Sequence, residues 1–282
     1  MVKIKYILFS IFVVFYSTSL FAYSDFDMDG VEDKDDRCPN TPFMELVDIN
    51  GCTTEYLISP HHFDLIVGVD YADSDYLTLN KTNTISSTLQ IDYYYNNFSL
   101  QLSSAYYSTD GDNYSDSGIY DTFIGGAYQF SLVNSLLLRV GIGSILPTYK
   151  SIYDNNNIDY TASLNLSYNI DKINLFGGYS YTIIGDDDLY LVDENNNSVE
   201  VIYNNTSAFS IGAGYYMNNK VYISGSYNCS NSIYDGVEDI KTASLYGYYS
   251  FSENWFSTLS YAYGISDSAS QNYVSLKVGY YY

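Results

Sequence analysis

Asp25, Asp27, Asp29, Asp33 and Asp36 carry the densest metal-ligating pattern in the chain. The alternate acids at 25, 27 and 29 bring carboxylates to one point, and Gly30 permits a sharp turn. Asp36 stands twelfth from Asp25, where a cation-binding loop of this length places its bidentate acid. Val31 can add its backbone carbonyl, and Asp33 a direct or water-mediated contact. An all-oxygen set of this kind suits a hard cation; a solvated acidic linker is the competing reading. Asp64, Asp70, Asp92, Arg139 and Lys277 form a second group of charges, dispersed through runs of alternating apolar and small polar residues. Charges that share an enclosed space either set a field that sorts ions or pair and close that space, and the residues alone leave both outcomes open.

Composition narrows what can position these groups. The chain has 282 residues, of which 46% are hydrophobic, 16% charged and 18% aromatic, with 36 tyrosines. Lys+Arg is 11 against 33 Asp+Glu, a formal charge of −22, so the basic footprint that neutralises nucleic-acid phosphates is missing. So many aromatic and β-branched residues also argue against intrinsic disorder. Residues 1–22 read as a secretory signal peptide: Lys3 and Lys5, an apolar run from Ile7 to Val14, then small residues up to Ala22. Cleavage is expected after Ala22, with an uncleaved anchor as the alternative. No later stretch of about 18 uninterrupted apolar residues exists, so no transmembrane helix is expected.

The segment 25–52 contains the spaced aspartates, then Cys38-Pro39, then Val47-Asp48 followed by Gly51-Cys52. It resembles a single thrombospondin type 3 repeat. That resemblance implies calcium bound through Asp25, Asp27, Asp29, Asp33 and Asp36. Cys38 and Cys52 enclose a short loop in a chain destined for an oxidising compartment and read as a disulfide, with metal ligation by two cysteines as the alternative. Cys229 is then left over as a small lipid-facing or rim residue.

From His61 onward the texture becomes runs of about 10 residues with period-two alternation, broken by Asn, Asp, Gly and Ser clusters. Val274, Leu276, Val278, Tyr280 and Tyr282 share one face; Ser275, Lys277, Gly279 and Tyr281 share the other. Candidate strands lie at 62–71, 84–95, 97–107, 118–130, 135–146, 159–170, 172–184, 206–217, 220–230, 240–251, 255–265 and 272–282. Short turns alternate with longer polar loops at 72–83, 108–117, 147–158, 185–205, 231–239 and 266–271. The apolar set is large and aromatic while its partner set is small and polar, which suits a membrane barrel with a polar interior better than a soluble sandwich. Tyr93, Tyr168, Tyr215, Trp255 and Tyr282 would form the girdle at the short-turn rim, with Tyr71, Tyr106, Tyr179, Tyr181, Tyr227 and Tyr263 higher. The last strand, closing on Tyr282, resembles the C-terminal signal read by the outer-membrane barrel-assembly machinery. Residues 60–282 resemble outer-membrane β-barrels of the porin-like kind.

The expectation is therefore an all-β, antiparallel, up-and-down transmembrane β-barrel of about 12 strands at 60–282, preceded by a short irregular calcium-binding segment at 23–59. With Phe63, Leu65, Val67 and Val69 facing lipid, Asp64 and Asp70 point inward; Asp92, Arg139 and Lys277 do so by the same phase. Strands 12, 1 and 2 are neighbours in a closed meander, which puts Lys277, Asp64, Asp70 and Asp92 in one sector of wall. Inward Tyr216, Tyr222, Tyr246 and Tyr248 would fill part of the interior. Three functions compete. A passive pore for ions or small solutes in a Gram-negative outer membrane, with a calcium-stabilised periplasmic N-terminal element, is favoured. A non-conducting structural or surface-interaction barrel is the alternative, its loop acids Asp186, Asp187, Asp188, Asp193 and Glu194 either gathering cations that bridge lipopolysaccharide or only staying hydrated. An enzyme is not expected: a serine hydrolase needs a histidine base near its nucleophile, and His61 and His62 both fall at the short-turn end of the first strand. Besides lipid, lipopolysaccharide and the assembly machinery, no partner is called for, and the oligomeric state stays open.

Overall fold

The structure is a computed structural model that describes residues 31, 36–38, 41, 47, 50–52, 61–74, 81–111, 115–133, 135–150, 156–192 and 198–282. The expected signal peptide and the aspartates Asp25, Asp27, Asp29 and Asp33 lie outside these. The chain divides into two units, Met1–Ser59 and Pro60–Tyr282. In the first, Cys38 and Cys52 form a disulfide. The Arg37 N–H donates to the Asn50 carbonyl (2.8 Å), and the Thr41 hydroxyl donates to the Gly51 carbonyl (2.7 Å), tying the two cysteine-bearing strands of chain together. Gly51 takes a φ of 76°, which an L side chain would resist.

The second unit consists of β1 (His61–Ser74), β2 (Thr82–Tyr95), β3 (Phe98–Gly111), β4 (Ser115–Ile119), β5 (Thr122–Val133), β6 (Leu136–Leu146), β7 (Asp159–Ile170), β8 (Ile173–Ile183), β9 (Leu189–Val192), β10 (Ser198–Val201), β11 (Thr206–Asn218), β12 (Val221–Ser230), β13 (Ile240–Ser250), β14 (Trp255–Gly264) and β15 (Asn272–Tyr281). Each long strand pairs antiparallel with its sequence neighbours, and β15 returns to β1, so the sheet closes on itself. At that seam Phe63 and Tyr282 exchange both backbone hydrogen bonds at 2.8 Å. β4 and β5 act as one stave: β3 pairs with β5 through Phe98–Ser103 and with β4 through Tyr106–Asp110. The result is a closed antiparallel barrel of 12 staves.

All twelve expected strands form, with two differences. The run at 118–130 is broken at Tyr120 and Asp121: the Tyr120 N–H still donates to the Ala105 carbonyl (2.8 Å), and the Asp121 carboxylate accepts the Tyr149 N–H (2.8 Å) and the Asn156 amide (2.9 Å). The loop at 185–205 contains a separate hairpin, β9 with β10, that the polar composition concealed. Turn chemistry matches turn geometry. Asn96 and Asp171, the non-glycine residues with positive φ among those described, sit in the tight β2–β3 and β7–β8 turns, where their side chains tolerate the left-handed region.

Side-chain sidedness is the reverse of a soluble protein's. Among the described residues the buried apolar set is only Ile66, Tyr107, Cys229 and Ala269, whereas Asp70, Asp92, Ser86, Ser99, Asn174 and Ser275 are buried. Phe63, Leu65, Val67, Val69 and Tyr71 alternate along β1 facing outward and exposed. Val69, Leu276 and Leu259 stand side by side across three staves, forming an outward apolar row. Nothing but acyl chains covers so much grease cheaply, since soluble monomers rarely expose more than a few hundred Å² of contiguous apolar surface.

This sidedness generates a paired test. Leu276→Arg, at the middle of β15, is expected to destabilise the barrel in phospholipid vesicles by about 2–4 kcal/mol, whereas Ser260→Arg on the inner face of β14 costs far less. Urea-unfolding curves of the two variants in the same vesicles measure the difference; equal losses would put the outer face somewhere other than lipid.

Candidate functional site

The inner wall assembles its charges by register. Asp64 lies directly opposite Asp92 on β2, Asp70 opposite Ser86 and Ser275, and Lys277 opposite Gly68 and Thr258. Asp70 and Lys277 therefore meet across the β1–β15 seam, while Asp64, opposite Tyr281, lies further along β1 and faces Asp92 on the next stave. Arg139 enters from β6 and reaches past β5 to donate from Nη2 to the Ser99 hydroxyl on β3 (2.9 Å). The sector expected on strands 12, 1 and 2 thus lies on β15, β1 and β2, and the Arg139 arm extends it to Ser99 on β3.

Each carboxylate has a different environment. Asp70 is 7% exposed and saturated: it accepts hydrogen bonds from the hydroxyls of Thr88, Ser86 (3.4 Å) and Tyr273 (3.0 Å), with Lys277 in electrostatic range. Asp92, also 7% exposed, accepts from the Gln90 amide (2.7 Å) and feels both Arg139 and Lys277. Asp64 bonds Tyr94, and its other oxygen, Oδ1, is buried with no hydrogen-bond partner. A buried carboxylate oxygen with no donor is costly unless water or a cation reaches it.

Gly68 makes this arrangement possible. A Cβ there would stand 2.6 Å from Lys277 Cγ and 3.1 Å from the Leu276 carbonyl, so the lysine stem lies flat over the glycine and carries its ammonium toward the acids of β1 and β2. Aromatic side chains use the same device elsewhere. Phe123 covers Gly125 and Gly143, Phe176 covers Gly212, Tyr222 covers Gly214, and Phe256 covers Gly279. The inward Tyr216 and Tyr222 rings are 4.7 Å apart, Tyr246 joins them at 6.2 Å from Tyr222, and Tyr248 stacks on Phe256 at 5.5 Å. Tyr248 also comes within electrostatic range of Asp64, which brings the aromatic wall close to the charged one at the short-turn end.

The remaining sequence-selected residues fall as follows. Asp36 accepts the Cys38 N–H at Oδ1 (2.7 Å), beside the disulfide, and Val31 is the other described member of the aspartate loop. Among the described residues no group of three or more His, Cys, Asp or Glu is arranged to hold a metal. His61 faces outward with Nδ1 2.5 Å from the Tyr93 hydroxyl, and His62 faces inward, stacked on Tyr94 at 4.5 Å. Cys229 is a buried free thiol on the outward face of β12, opposite Phe209 and Lys241. The sequence reading missed three contributors to the charged wall: Gly68, Ser99 and Tyr273. Only the position of Gly68 as the one inward glycine between Asp64 and Asp70 could have signalled that a long side chain crosses there.

Filling the glycine seat tests its role. Gly68→Val is expected to cost about 1–3 kcal/mol, and Lys277→Ala in the same chain to recover part of that loss, because the two changes compete for one space. A double-mutant cycle in urea reads the coupling directly, and strict additivity would show that the stem does not rest on Gly68.

No protein-family model and no curated protein matches this chain. Among solved structures it is similar to an outer membrane channel from Pseudomonas putida F1, with 8% identity and a TM-score of 0.66 over 78% of this chain and 95% of that one. It is also similar to the NanC porin, with 13% identity and a TM-score of 0.50 over 77% of this chain and 98% of the other. At such identities the likeness is one of fold: an antiparallel, closed β-barrel of the outer-membrane type.

Proposed function

We propose that residues 60–282 form a passive pore for ions or small solutes in the outer membrane of a Gram-negative bacterium. The carrying observation is an inner wall that keeps two cations, Arg139 and Lys277, and a buried carboxylate oxygen of Asp64 inside a closed barrel, an arrangement that needs water in the lumen. The similarity in fold to a channel and a porin supports the same reading. Twelve staves lie between the eight whose side chains fill their own interior and the sixteen or more that leave a wide channel, which suits a narrow passage. The short turns and both ends of the barrel chain share one rim, which in outer-membrane barrels is the periplasmic one, so residues 23–59 would be periplasmic. After removal of residues 1–22, that segment would bind calcium through Asp25, Asp27, Asp29, Asp33 and Asp36 with the Val31 carbonyl. The spacing of the acids supports this, as does the anchoring of Asp36 beside the Cys38–Cys52 disulfide.

The inward rings of Tyr216, Tyr222, Tyr246, Tyr248 and Phe256 favour a second reading, a plugged structural barrel. Single-channel recording in planar bilayers separates the two: discrete conductance steps support the pore, and silence at all voltages supports the plugged barrel. For the calcium element, a rise in the unfolding temperature of the first unit with added calcium is expected in the full chain. Asp27→Ala with Asp29→Ala should abolish it, and a calcium shift that survives both changes would remove those ligands from the proposal.

A further inference from the structure

The phase that turns Asp64, Asp70 and Asp92 inward turns other residues inward as well. Asp116 on β4 stands opposite Thr109, Asp159 on β7 opposite Ile145, and Asp121 continues the inward positions of β5. Among the described stave residues, six acids therefore line the interior against two bases, Arg139 and Lys277. The imbalance is graded along the barrel. At the long-loop rim, Asp159 lies within electrostatic range of both Asp121 and Asp186. They are held by neutral donors: the Tyr149 N–H to Asp121 (2.8 Å), the Gly185 N–H to Asp159 (2.8 Å) and the Asn157 N–H to Asp186 (2.7 Å). Neutral donors fix a carboxylate in place without cancelling its charge. Deeper in, Lys277 offsets part of the charge of Asp70, and Lys277 with Arg139 part of that of Asp92, whereas Asp64 faces Asp92 and keeps a buried oxygen with no donor from the protein.

We propose that the lumen selects cations over anions, with the rim acids concentrating small cations and amine-bearing solutes and the Asp64–Asp92 layer discriminating among ions that enter. This inference rests on the pore reading above. A passage lined by one sign of charge between low-dielectric walls raises the local concentration of counter-ions. Lys277, stretched over Gly68 toward those acids, weakens the preference, so its removal should strengthen it.

The test is the reversal potential of the purified full-length chain in planar bilayers under a KCl gradient. Potassium is expected to be favoured over chloride on the order of tenfold near 0.1 M salt. The preference should shrink toward unity near 1 M, where the screening length falls from about 10 Å to about 3 Å. Asp64→Asn with Asp92→Asn should reduce the ratio several-fold, and Lys277→Met should raise it; the latter serves alone if the double variant fails to insert. Conductance without ionic preference, or with chloride favoured, overturns the inference and leaves the pore standing. Unchanged selectivity in both variants removes the Asp64–Asp92 layer from it. Silence of the unaltered protein overturns the pore reading, and the inference with it.

Discussion

Closure of the hydrogen-bond ladder is the constraint on which everything else depends. In a hydrocarbon medium no water relieves an unpaired N–H or C=O, so a sheet survives there only when it has no edge. The chain meets this by bringing β15 back to β1, down to the Phe63–Tyr282 pair at the last residue. Once the ring is closed, the two-residue period of a strand leaves each side chain only two directions, toward lipid or toward the enclosed interior. The exposed row of Val69, Leu276 and Leu259 and the buried Asp70 and Ser275 are two sides of that single choice.

The interior then has to be filled without a hydrophobic core. Glycine does this by absence. Phe123, Phe176, Tyr222 and Phe256 each lie flat on glycines of a neighbouring stave, and Lys277 does the same on Gly68. Bulky groups lying along the wall leave the axis freer than bulky groups standing across it, so glycine placement acts on the bore alongside strand number. The interior is also divided by kind. Asp64, Asp70, Asp92 and Lys277 gather on β1, β2 and β15, with Arg139 reaching toward them from β6, while Phe176, Tyr216, Tyr222, Tyr246, Tyr248 and Phe256 crowd β8 and β11 through β14, so the interior has a charged sector and an aromatic one.

What could be read from the amino-acid sequence was whatever depends on neighbours along the chain. Period-two alternation located all twelve staves, and Asn96 and Asp171 marked tight turns because their chemistry is local. The inward direction of Asp64, Asp70, Asp92, Arg139 and Lys277 followed from the same parity. What escaped depends on contacts across staves. The break at Tyr120 and Asp121 stands where a carboxylate takes its donors from a distant loop, and the seat of Lys277 on Gly68 joins residues far apart along the chain. Likewise, nothing in a run of serines shows that Ser99 is the one to meet Arg139.

The position of the charges relative to the seam gives them a structural role beside any transport role. Strands β1 and β15 meet last along the chain, and their pairing is held by no short turn, so their register must be fixed by side chains. A slip of one residue would exchange the faces of one strand, carrying Lys277 into lipid at about 2–4 kcal/mol near the bilayer centre and drawing Leu276 inward. It would also separate Asp70 from the Tyr273 and Ser275 hydroxyls that it meets across the seam. The charged wall and the closed ladder therefore enforce one another. The residues that give the lumen its polarity stand where an incorrect closure would be most costly.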